Sequence, residues 1–111
     1  MKLPSIIKFA SDKLCNEIYD LEKGNAKERE LFKAVQKVMD AIEENAFCGI
    51  QIPKRQIPKE YISKYDADNL WKLNLHEGWR LIYTITRHDI IVISLLLECL
   101  SHKQYEKRFN Y

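Results

Sequence analysis

The sequence predicts an α+β fold: an N-terminal strand and a helical hairpin packed on one face of a small antiparallel sheet, in the order β-α-α-β-β-β. Three observations predict it. A stripe of apolar residues at helical spacing fills the first half of the 111-residue chain, residues 69–85 alternate at strand spacing, and Ile90 to Leu97 is apolar on both faces.

Ser5 to Ala10 is a short apolar run that reads as the first strand. Ser11 then offers a capping oxygen, Leu14, Ile18 and Leu21 recur at helical spacing, and Gly24 stops the helix. Asn25 with Glu28 three residues on forms a capping box that opens a second helix. Leu31, Val35, Val38 and Ile42 make its apolar stripe, flanked by Ala34 and Ala41. Lys27, Glu30, Lys33, Lys37, Asp40 and Glu44 cover the other side, and the helix is expected to end near Gly49.

Residues 50–68 hold Pro53 and Pro58, which restrict themselves and their predecessors, so an extended loop with one short helical turn near Lys59 to Lys64 is expected. A connector of this length inside a compact domain tends to be functional. Lys54, Arg55 and Lys59 within it are either solvated or in contact with a nucleic-acid backbone.

Trp71, Leu73 and Leu75 alternate on one strand, and Trp79, Leu81, Tyr83 and Ile85 on the next. A two-residue turn at Glu77-Gly78 would set Arg80 opposite Leu75. A three-residue connection, His76-Glu77-Gly78 with a left-handed Gly78, instead pairs Leu75 with Trp79 and Leu73 with Leu81. This register makes Trp71 and Trp79 core residues and puts Arg80 with Lys72 and Asn74 on the face away from the helices. Ile90 to Leu97, apolar on both sides, reads as an interior strand, and Ser101-His102-Lys103-Gln104-Tyr105 follows as a polar tail.

Residues 1–111 read as one domain. Hydrophobic residues at 46% and charged residues at 31% fit a globular chain rather than a disordered one. A net charge of +2 is too small to argue for nucleic acid by itself, yet the chain from Lys54 onward carries ten basic residues against seven acidic ones. Cys15, Cys48 and Cys99 are widely spaced and form no metal-ligand pattern, so small hydrophobes in a reducing compartment are expected, with no metal and no cofactor. Met1-Lys2-Leu3-Pro4 opens no leader-like apolar run and no segment has the length of a membrane span, so the expected location is the cytoplasm.

The strand Trp79-Arg80-Leu81-Ile82-Tyr83 and the terminal His102-Lys103-Gln104-Tyr105, set after a first strand and a helical hairpin, make the chain resemble the RelE/ParE superfamily of toxins from type II toxin–antitoxin systems. In the RelE branch these two segments look like the arginine-bearing strand and the terminal catalytic segment. The resemblance implies metal-independent cleavage of messenger RNA on the ribosome and a cognate antitoxin protein, assembled with it as a heterotetramer. The ParE branch implies inhibition of DNA gyrase instead, and a RelE-like module that only binds is a third reading. Here two residues separate the histidine from the tyrosine, and Glu60, Glu77 and Glu98 compete for the place of a general base.

The chemistry stands apart from the resemblance. Metal-free RNA cleavage uses the 2′-hydroxyl as nucleophile, so a protein must orient the RNA, move two protons and offset charge on a pentavalent phosphorane. Arg80 suits the last task, because a guanidinium is permanently charged and can hold two phosphate oxygens. His102 suits general acid or base work. Tyr105 can donate a proton, stack on a base, or both. Lys72 or Lys103 can add a second cation, and Lys54 and Arg55 are candidate RNA-backbone contacts. His76 and His88, at expected turns, read as solvent-exposed.

Overall fold

The computed structural model describes residues 1–110: β1 (Ile6–Phe9), α1 (Asp12–Asp20), α2 (Ala26–Glu44), β2 (Ile50–Ile52), α3 (Lys59–Tyr65), β3 (Leu70–Asn74), β4 (Arg80–His88), β5 (Ile91–Leu100) and α4 (His102–Phe109). The strands form one sheet in the order β1-β5-β4-β3-β2. The sheet is mixed rather than purely antiparallel, because β1 runs parallel to β5, with Ile6 opposite Ile93, while the other pairs are antiparallel. The α1–α2 hairpin intervenes between β1 and the rest, giving the chain the length a parallel return requires.

Local chemistry sets the helix ends. The Ser11 hydroxyl accepts the Leu14 N–H at the start of α1, and Asn25 and Glu28 exchange side-chain and backbone bonds at the start of α2. A short 3₁₀ turn over Leu21–Lys23 ends at Gly24 and reverses the chain between the helices. Leu14 and Ile18 from α1 and Leu31, Val35 and Ile42 from α2 pack on Trp71, Leu81, Tyr83 and Leu96 of the sheet. Each fully buried aliphatic side chain here contributes about 1.5–3 kcal/mol of transfer free energy.

The β3–β4 connection adopts the expected three-residue form. Leu73 pairs with Leu81 and Asn74 with Arg80, and the Leu75 N–H donates to the Trp79 carbonyl. Glu77 and Gly78 both take left-handed backbone, at φ 57° and 80°. Arg80 and Lys72 therefore lie across the sheet from α1 and α2.

That second face is covered, where the sequence pattern suggested an open one. Ile52, Ile57, Tyr61, Leu70, Ile82, Leu97, Leu100 and Tyr105 form a second core on it, supplied by α3, α4 and the strands. Three features of the chain produce this. The 50–68 segment begins as β2, an edge strand paired to β3 through Ile52 and Leu70, and α3 spans two turns rather than one. The expected tail is α4, capped by a reciprocal Ser101–Gln104 box. A bulge in β5 shifts the register, with Ile82 opposite Glu98 and Tyr83 opposite Leu96, so Leu97 and Glu98 both serve the second face.

Two glycines are required by close approach. A Cβ on Gly49 would lie 2.6 Å from the Tyr83 hydroxyl, which donates to the Ala46 carbonyl and accepts the Gly49 N–H to hold the entry to β2. A Cβ on Gly78 would lie 2.7 Å from Cβ of His102, the first residue of α4. Gly78→Ala is therefore expected to combine left-handed strain with a clash against α4 and to cost about 1–3 kcal/mol. Urea unfolding measures it; a midpoint equal to that of the unsubstituted protein would contradict the turn geometry.

Candidate functional site

Strands β3 and β4 present Lys72 and Arg80 to α4, and Tyr105 meets both. The tyrosine is 3% exposed. Its ring centre lies 5.0 Å from the Arg80 guanidinium carbon, and its hydroxyl accepts a 2.9 Å bond from the Lys72 ammonium. Lys72 Nζ is also 4.9 Å from the ring centre. With the hydroxyl only 2.9 Å away, that distance puts the nitrogen beyond the rim of the ring, so this contact is a hydrogen bond to the phenol rather than a cation over its π face. One side chain thus holds two cations, one by its face and one by its oxygen.

Arg80 is half-buried and pinned by its own turn, donating through Nη1 to the carbonyls of Gly78 and Trp79. Among the described residues its buried Nε has no hydrogen-bond partner. Among the described residues neither Arg80 nor Lys72 is ion-paired. Two adjacent, partly desolvated positive charges without carboxylate neutralisation form a site of strong attraction for an anion.

His102 sits at the exposed start of α4. Its Nε2 is 3.4 Å from Glu106 one turn on, and its Cβ and ring abut Gly78, whose carbonyl receives Arg80. Gly78 is therefore the meeting point of Arg80 and His102. The structure brings together Arg80, Lys72 and Tyr105 by direct contact and His102 by this shared neighbour. Lys103 is exposed on α4, and Lys54 and Arg55 are exposed on a 3₁₀ turn (Lys54–Gln56) before α3; among the described residues no hydrogen bond joins any of them to Arg80 or Lys72. His76 and His88 are exposed, Trp71 is buried, and Trp79 is half-buried against the first core.

A second cluster locks α4 in place. Arg108 on α4 donates to both carboxylate oxygens of Glu98 on β5, at 3.1 Å each, and at 2.9 Å to Glu60 on α3. The buried Tyr61 hydroxyl donates to Glu98 at 2.6 Å. Burial, then the Glu98 carboxylate, raises Tyr61 well above the usual phenol range, so it remains a donor. Burial works against the Arg108 charge, but bonds to Glu60 and Glu98 outweigh it and raise the guanidinium further. Tyr61 also packs toward Phe109, whose ring centre lies 4.5 Å from that of Tyr105, so an aromatic line joins this cluster to the Arg80 site.

Sequence reasoning missed Arg108 and Tyr61 and left Glu98 only as one candidate base. The signal was present in part: Leu97-Glu98-Cys99-Leu100 interrupts the apolar run of β5, and a bulge there turns the carboxylate toward the second core. Among the described residues no three His, Cys, Asp or Glu side chains gather as a metal-ligand set, and no helix is long and apolar enough to cross a membrane. No known protein family, curated protein or solved structure matches the chain.

Arg108→Ala leaves the three-quarters-buried Glu98 carboxylate with Tyr61 alone and is expected to cost about 1–3 kcal/mol, with Glu98→Gln/Arg108→Ala less damaging than the sum of the single changes. The pH dependence should change too. Glu60 is held below the usual carboxylate value, first by its own backbone N–H and then by Arg108, so its contribution is present above the ordinary carboxylate range and lost as pH falls through its folded value. Arg108→Ala should therefore weaken the acid-side loss of stability. Additive effects across the double-mutant cycle would exclude a coupled cluster.

Proposed function

We propose that the chain is the toxin of a type II toxin–antitoxin pair, a RelE-like endoribonuclease that cuts messenger RNA on the ribosome without a metal. The observation that carries this reading is the Arg80–Lys72 pair held on Tyr105, two cations without carboxylate partners among the described residues, beside an exposed imidazole.

In the reaction the 2′-oxygen of one nucleotide forms a bond to its own 3′-phosphorus, and the bond from phosphorus to the 5′-oxygen of the next nucleotide breaks. The 2′-proton leaves to a base and the 5′-oxygen gains a proton, giving a cyclic phosphate and a free 5′-hydroxyl. Arg80 and Lys72 stabilise the extra negative charge on the phosphorane, where a preorganised donor is worth about 10²–10³-fold in rate. His102, oriented by Glu106, carries one of the two proton transfers, worth about 10²–10⁴-fold. Tyr105, buried beneath the cations, acts through them and is a positioning residue. This departs from the proton donor or base-stacking ring expected from the sequence. An antitoxin that silences the protein would neutralise or cover Arg80.

One observation favours the second reading, a ParE-like gyrase inhibitor or a module that only binds. The Tyr105 ring is buried on the inner side of its own helix, α4, and a binding surface has no need of His102 chemistry.

The test is translation in a cell-free system with purified protein, reading transcript ends by primer extension. Cleavage by the unsubstituted protein is expected, with Arg80→Ala slower by about 10²-fold or more and His102→Ala slower by about 10²–10⁴-fold. Tyr105→Phe keeps the ring under Arg80 and is expected to lose about tenfold or less, whereas Tyr105→Ala loses far more. Intact transcripts, or undiminished cleavage by Arg80→Ala, sink the nuclease. Inhibition of gyrase supercoiling that is indifferent to His102→Ala would establish the second reading.

A further inference from the structure

A cleft of about 610 Å³ opens between the Lys54–Gln56 turn with the start of α3 on one side and the end of α4 on the other. Arg55, Lys59, Lys107 and Arg108 line it, and among the described residues Glu60 is its one carboxylate, already bonded to Arg108. Arg55, Lys59 and Lys107 are exposed, and among the described residues none of them is ion-paired. Neither Arg80 nor Lys72 contributes to its walls.

Folding explains only part of this charge. Lys107 and Arg108 lie in the last turn of α4, where cations complement the helix dipole. Lys59 lies in the first turn of α3, where a cation is mildly unfavourable, and the Arg55 side chain makes no hydrogen bond or ion pair among the described residues. Cations placed on both walls of a groove, one of them against the preference of its own helix, are what a groove for a polyanion requires.

We propose that this cleft binds the phosphate backbone of single-stranded RNA at nucleotides flanking the cleaved step. The proposal rests on the nuclease reading for the identity of the strand. Phe109 lines the cleft and stacks on Tyr105 at 4.5 Å, and Tyr105 in turn lies 5.0 Å below Arg80. One ring–ring contact and one ring–cation contact thus separate the groove from the reacting site, and α4 forms a wall of both. Among the described residues the groove offers charge and one ring, Phe109, already engaged with Tyr105, so recognition there is of backbone and insensitive to base identity.

The experiment is fluorescence anisotropy of a short all-deoxy single strand, which has no 2′-hydroxyl and cannot be cut by this chemistry, titrated with the full-length protein at several salt concentrations. The triple variant Arg55→Ala/Lys59→Ala/Lys107→Ala changes exposed side chains only, and far-UV circular dichroism with thermal unfolding confirms that it folds. Expected are a loss of affinity of about tenfold or more and a fall of about 2 in the magnitude of the log–log salt slope, the value for three phosphate contacts on a single strand. Equal affinity and slope in the triple variant, no binding by the unsubstituted protein, or preference for an acidic peptide over the oligonucleotide would each overturn the proposal. The two readings fail separately. Binding that needs Arg55, Lys59 and Lys107 in a protein that leaves transcripts intact keeps the cleft and removes the nuclease, and undiminished cleavage by the triple variant with unchanged binding does the reverse.

Discussion

Burial of β4 and β5 from both sides is the constraint on which the rest of the structure depends. Leu81 and Tyr83 face the α1–α2 hairpin while Ile82 faces α3 and α4, and Leu96 and Leu97 divide in the same way. A chain with helices on only one face would leave Ile82, Leu97 and Leu100 in water. Residues 50–68 and 101–109 prevent this by supplying Ile52, Ile57, Tyr61 and Tyr105 as a second layer. The small helices are thus core elements that happen to bracket the polar residues of the same face. Arg80 and Lys72 are caught at the margin of that layer, where their stems are shielded and their charges meet α4.

Holding a guanidinium there has opposing terms. A buried Nε without a partner costs about 1–3 kcal/mol. The ring contact with Tyr105 returns about 0.5–2 kcal/mol, and two carbonyl bonds from Nη1 return a comparable amount. The sum is near balance, so stability alone gives no reason to keep an arginine where leucine would pack. What the arrangement does provide is a charge with little freedom left to lose when an anion arrives. That is the condition under which a donor stabilises a transition state without reorganising.

Much of this was legible in the sequence. The Leu31, Val35, Val38 and Ile42 stripe, the Asn25–Glu28 box and the three-residue Gly78 turn all report on neighbours a few residues away, where periodicity and turn chemistry decide the outcome. The same turn placed Arg80 beside Lys72, which is why the cation pair could be anticipated. The covered second face could not be read in the same way. Its residues, Ile52, Ile57, Tyr61 and Tyr105, are single apolar positions among polar ones in segments too short for a periodic signal. The parallel pairing of β1 with β5 is likewise a contact between residues nearly ninety apart, on which local pattern is silent. Glu98 lies just past the apolar run Ile90 to Leu97 and reads in the sequence only as one of three candidate bases, and only the bulge reveals that it faces Tyr61 and Arg108.

Packing and chemistry draw on different residues at this site, and the difference bears on what selection can remove. Tyr105 is fixed by the second core and by Phe109, and Lys72 by its bond to the phenol. Arg80 is fixed by its turn and the ring beneath it. Loss of any of these disturbs the layer that covers β4 and β5. His102 is exposed, and apart from lying against Gly78 its polar partner is Glu106 on the same helix. The imidazole is therefore the group whose replacement would leave the fold nearly unchanged while removing the proton carrier that the proposed cleavage requires. A binding protein and an enzyme built on this frame would share the cation pair and the α4 clamp and differ at the first residue of α4. The proposed cleavage accordingly turns on the imidazole beside Gly78 and on the access of a phosphate to the two cations held by Tyr105, rather than on the fold that carries them.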